Sequence, residues 1–110
     1  MPFDIGLERT KEITLLRTAR DLLARDGWCV GMWRNKATGA RCLLTALDTA
    51  WLSDPVNWRR GVYRSTDPVF AAALRLLGFS APQEAVNFND TPGRTKEEII
   101  SLFDTVLGAD

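Results

Sequence analysis

The chain has 110 residues, enough for one domain with its own core. Its 45% hydrophobic content suits a globular fold, and 14 basic side chains balance 14 acidic ones, which leaves no general attraction for nucleic acid or an anionic membrane. Histidine is absent, which excludes a Ser-His-Asp or Cys-His centre within one chain, and two cysteines fall short of the four N/S ligands of a structural zinc site, so neither metal nor cofactor is expected.

No apolar run approaches the ~20 residues of a membrane span. Residues 1–6, Met-Pro-Phe-Asp-Ile-Gly, lack both a basic n-region and an apolar h-region and read as a loose N-terminal arm. The expected compartment is the cytoplasm, where Cys29 and Cys42 would be reduced. The first helix is expected from about Thr10 to Arg25, with Leu15, Leu16, Ala19, Leu22 and Leu23 on one face and Gly27 as its stop. The glycine-interrupted Trp28–Trp33 stretch and the polar turn 34–39 leave room for one short β-hairpin near 28–42. A second helix is expected from about Arg41 to Leu52, ended by Asp54-Pro55. The connection 56–65 is the most basic and aromatic part of the chain.

Asp67-Pro68 gives the third helix an N-cap and a first-turn proline, and Gly78 a C-terminal cap. A linker over 79–94 follows, with Ala85–Phe88 as a short apolar insert. Thr95 and Glu98 form a capping box for the fourth helix, whose apolar arc runs from Ile99 to Leu107, with Gly108 closing it. The fold class expected is therefore mainly α: a compact four-helix domain over residues 1–110, joined by irregular segments.

Three segments could carry chemistry. The turn Asn87–Thr95 sets Asn89, Asp90, Arg94 and Thr95 at a helix N-terminus, where an anion or nucleotide would be favoured. The same residue types equally make a self-contained turn and cap, and the glycine spacing of a phosphate loop is missing. In the cluster of Trp28, Cys29, Trp33 and Cys42, a thiol lowered in pKa could act as a redox switch or nucleophile. Twelve residues lie between the cysteines, which is neither a redox nor a metal spacing, and core packing is the simpler reading. In the third segment Trp58, Arg59, Arg60, Tyr63 and Arg64 are of the types found at binding hot spots and on single-stranded nucleic-acid platforms.

The order of these features resembles a known family. Gly27-Trp28, Gly31, a polar turn, Arg41-Cys42-Leu43-Leu44-Thr45-Ala46-Leu47 and Ala50 look like the first half of a domain-of-unknown-function family found in actinobacteria and their phages. Phe88-Asn89-Asp90 and Gly93-Arg94-Thr95 through Phe103-Asp104 are similar to its second half. Residues 52–79 lie outside this likeness, and Arg41-Cys42 stands where such proteins often have Trp-Cys. The resemblance implies a small accessory protein, phage-encoded; in the protein-binding reading it would act on a host protein.

The function expected is thus a non-catalytic, protein-binding accessory domain, monomeric or homodimeric, using Trp58, Arg59, Arg60, Tyr63 and Arg64. Two alternatives stand beside it. One is a small-ligand or nucleotide site, or a weak hydrolase, at Asn89, Asp90, Arg94 and Thr95. The other is single-stranded nucleic-acid binding through 58–64, which zero net charge disfavours.

Overall fold

The computed structural model describes residues 2–55, 57, 64 and 67–108, with helical side chains described from Thr10 onward. Among these residues the structure is mainly helical, with five helices: α1 (Pro2–Asp26), α2 (Leu43–Leu52), α3 (Pro68–Leu76), α4 (Pro82–Asn89) and α5 (Lys96–Gly108). None of them is long and apolar enough to cross a membrane. Helix α1 packs against α2, α3 and α5, and α2 also packs against α4.

Helix α1 buries Leu15, Leu16, Ala19 and Leu23, the face expected from their spacing. It starts at Pro2, however, so residues 2–6 of the stretch read as a loose arm are helical. Extending an existing helix adds one hydrogen bond per residue fixed, and proline in the first turn forfeits no bond. Gly27, at φ +102°, ends the helix and donates to the Leu23 carbonyl at 3.0 Å. Arg20 ties the outer face to α5 through Asp104 at 2.8 Å.

Asp26 accepts hydrogen bonds from Arg25 at 2.9 Å and from Arg41 at 2.7 Å. These partners hold its carboxyl well below the usual carboxylate range. A depressed folded-state value contributes stability above the ordinary value of 3.8, and that contribution is lost as pH falls towards the folded value. Asp26→Asn should therefore flatten the acid side of a urea-stability curve measured from pH 7 downward. An acid slope identical to wild type would remove Asp26 from the account.

In place of a hairpin near 28–42 the structure has two isolated bridges, Trp28 with Arg41 (parallel) and Arg34 with Arg41 (antiparallel). Between them Gly31, at φ +74°, turns residues 30–33 outward, so no continuous ladder forms. Arg41 is held extended by its bonds to Gly27 and Cys29, which moves the start of α2 from Arg41 to Leu43. Cys42 becomes the N-cap, its sulfur accepting from the Thr45 N–H at 3.4 Å. Six of the ten α2 residues are buried, as a helix enclosed on more than one side requires.

Helix α3 begins as expected: the Asp67 carboxylate accepts from the Val69 N–H at 3.0 Å, with Pro68 in the first turn. Its end is a Schellman motif, Phe79 N–H to Leu74 C=O and Gly78 N–H to Arg75 C=O, both at 2.9 Å. Phe79 and Leu74 are both buried there. The capping box of α5 also forms, with Glu98 N–H on the Thr95 hydroxyl at 3.2 Å and Thr95 N–H on the Glu98 carboxylate at 2.9 Å.

The main correction is α4. The linker expected over 79–94 contains a two-turn helix, Pro82–Asn89, so the count of four helices becomes five among the described residues. Two turns are marginal in water. This helix is supported by Pro82 and Glu84 in its first turn and by the burial of Ala85 and Asn89.

Candidate functional site

Asn89 is completely buried at the C-terminal end of α4. Its Oδ1 accepts from Trp28 Nε1 at 2.6 Å and from the Leu43 N–H at 2.9 Å. Its Nδ2 donates to the Cys29 carbonyl at 3.1 Å and to Asp90 Oδ1 at 2.9 Å. Both Oδ1 partners are donors and both Nδ2 partners are acceptors, so all four bonds of the amide are made and its orientation is fixed chemically. One of those donors is an otherwise unpaired N–H in the first turn of α2. A single side chain thus joins α4, the segment after α1 and the start of α2. Asp90 extends the knot by accepting from the Gly31 N–H at 3.0 Å.

The other residues of the turn also point inward on their own neighbours. Arg94 Nε donates to the Phe88 carbonyl at 2.9 Å, its guanidinium lies 3.7 Å from the Phe88 ring centroid, and its NH1 reaches Glu98 at 3.3 Å. Thr95 is committed to its capping box. Asn89, Asp90, Arg94 and Thr95 are therefore close in the fold, yet they join two local arrangements rather than one convergent cluster.

Of the basic and aromatic segment, Trp58, Arg59, Arg60 and Tyr63 lie outside the described residues. Arg64 is described: its Nε is 2.5 Å from Asp48 Oδ1 and its guanidinium carbon 5.6 Å from the centroid of Phe70. Burial pushes the Asp48 carboxyl up and the Arg64 charge pulls it back, with burial the larger effect.

The structure makes an exposed surface of part of the Trp28–Trp33 stretch, which the sequence offered only as a thiol site or as core packing. Among the described residues the large exposed hydrophobic side chains include Val30, Met32 and Trp33, and Trp33 is 61% exposed. All three sit on the loop that Gly31 turns outward. Beside it is a hollow of about 200 Å³, lined by Gly31, Met32, Trp33, Cys42, Val86 and Asp90. The two tryptophans flanking this loop part company: Trp28 packs against the core and spends its N–H on Asn89, whereas Trp33 faces solvent. Gly31 was the available signal, because glycine between apolar residues marks a place where the chain leaves its line.

Both cysteines are free. Cys42 is buried, as the packing reading expects, and Cys29 is half-buried with its sulfur 3.6 Å from the carbonyls of Met32 and Ala40. Burial, then the neighbouring Cys42, holds the Cys29 thiol above its ordinary range, against a lowering backbone bond from Asn35. It therefore lacks the lowered pKa of an activated nucleophile.

No curated protein and no solved structure matches this chain. The profile of a family of unknown function matches residues 8–108, which includes the 52–79 stretch where the residue motifs gave no likeness. Nearly the whole chain is thus accounted for by one family, and the protein belongs to DUF6197, a family of unknown function.

Proposed function

We propose that this protein is a non-catalytic accessory domain that binds a protein partner through the Val30–Trp33 loop. The observation that carries this reading is the exposure of Trp33 beside Met32 and Val30. Exposing apolar surface is unfavourable unless something uses it, and tryptophan is the residue type most enriched among interface hot spots. The loop's base is held by Asn89 and Asp90, so presenting these side chains costs little ordering on binding. As part of this proposal, the residue-level resemblance described above, to a family found in actinobacteria and their phages, carries the reading of a phage factor that acts on a host protein. The 58–63 segment with Arg64, read from sequence as the partner surface, is a second arm of the same test.

A small ligand at Asn89, Asp90, Arg94 and Thr95 is the less favoured reading. It would have to break the bonds that Asn89 and Arg94 make within the chain, and each broken bond to a buried group costs about 1–3 kcal/mol.

The test is quantitative. A partner is first identified by affinity capture with the wild-type chain, and its affinity is then compared across variants. Trp33→Ala should weaken binding at least about 30-fold, equivalent to a hot spot of about 2 kcal/mol, with the urea midpoint unchanged. If Trp33→Ala binds as wild type while Arg59→Ala/Arg60→Ala/Tyr63→Ala does not, the surface belongs to the 58–64 segment. If neither variant changes affinity, both surfaces are wrong.

A further inference from the structure

Arg41 lies between two backbone segments. Its N–H donates to the Gly27 carbonyl and its carbonyl accepts from the Cys29 N–H, each at 3.1 Å, which makes the parallel bridge with Trp28. In a parallel pair, residues at the same offset from a bridge project to the same side, with strands about 5 Å apart. Cys29 and Cys42 are the next such pair, each one residue beyond the bridge. That spacing falls inside the roughly 4.4–6.8 Å range of Cα separations over which a disulfide closes.

The side chains agree with the register. The Cys29 sulfur lies against the Met32 carbonyl, and Cys42 lines the hollow beneath Met32 and Trp33. Both thiols thus sit under the same loop, and both are free. Cys29 is only half-buried, which leaves its sulfur within reach of an oxidant, while the hollow is lined by Cys42. Their separation along the chain concealed the pairing, which arises only when Arg41 folds back onto Trp28.

We propose that Cys29 and Cys42 are a reversible disulfide-forming pair that closes the base of the Val30–Trp33 loop. The oxidant is a low-molecular-weight disulfide, of which oxidised glutathione is the probe. The half-buried Cys29 loses its proton, attacks one sulfur of the oxidant and expels one thiolate, leaving a mixed disulfide. Cys42 then loses its proton, attacks the Cys29 sulfur and displaces the second thiolate. Both thiolates take up the released protons. Two protein S–H bonds and one small-molecule S–S bond become one protein S–S bond and two small-molecule thiols. The protein is oxidised by two electrons and the oxidant is reduced by two.

The full chain is incubated with excess oxidised glutathione in mildly alkaline buffer, quenched by alkylation and analysed by intact mass and peptide mapping. The expected result is a monomer lighter by two hydrogens, with both thiols lost together and a peptide joining Cys29 to Cys42. Dithiothreitol should restore both thiols. Cys42→Ser, which keeps a good N-cap on α2, should stop at a glutathione adduct on Cys29. Two thiols still free, a stable glutathione adduct on the wild-type chain, or a disulfide between chains would each overturn the proposal.

Discussion

Replacing Asn89 with alanine should lower the unfolding free energy by about 3–5 kcal/mol, among the larger effects of a single substitution. The substitution leaves Trp28 Nε1, the Leu43 N–H and the Cys29 carbonyl without their partner. A buried polar group left unpaired costs roughly 1–3 kcal/mol, and a cavity of amide size adds to this. Trp28→Phe should cost much less, about 1 kcal/mol, because Asn89 Oδ1 keeps its bond from Leu43. The double variant should be less unstable than the sum of the two, since the orphaned indole N–H is then absent. Asn89→Asp keeps the shape and replaces a donor by an acceptor facing the Cys29 carbonyl and Asp90. It should be at least as unstable as the alanine variant at pH 7 and recover in part on acidification, as the new carboxyl is protonated. Urea unfolding at two pH values measures all four. An Asn89→Ala chain within about 1 kcal/mol of wild type would mean that the knot is ornamental.

The second large effect is expected at Asp67. One carboxylate oxygen caps α3 by accepting from Val69 at 3.0 Å, and the other accepts from the indole N–H of Trp51. Trp51 is only 5% exposed, so water is a poor substitute for that acceptor. Asp67→Ala therefore removes an N-cap, worth about 1 kcal/mol, and orphans a buried indole N–H, worth about 1–3 kcal/mol. The sum is a loss of about 2–4 kcal/mol. Asp67→Asn should lose only part of this, because asparagine caps as well as aspartate. Denaturant midpoints rank the variants, and near-ultraviolet circular dichroism reports whether the tryptophan environment is retained. Equal stability for the alanine and asparagine variants would show that the cap oxygen carries nothing.

These two sites differ in how far they could be read in advance. Asp67-Pro68, Gly78, Thr95 with Glu98, and Gly27 each mark a helix end through bonds between residues close in the chain. Such signals survive without knowledge of the fold, and the three helices anticipated at those places, α1, α3 and α5, are present. The buried face of α1 follows likewise from the 3.6-residue period.

Helix α4 shows the limit of that reading. Its eight residues include two asparagines, weak helix formers, and in isolation two turns would scarcely form. It exists because Ala85 and Asn89 are buried, and three of the four partners of Asn89 lie 46 to 61 residues away. The same holds for the candidate surfaces. The sequence by itself determined a histidine-free, charge-balanced helical chain and the positions at which most of its helices stop or start. Only the tertiary structure decided that Asn89 is a fully bonded buried amide, that Trp33 is exposed while Trp28 is not, and that Cys29 and Cys42 are neighbours. The reason is physical: caps and periodicity are local terms, whereas burial and long-range pairing depend on which segments the packing brings together.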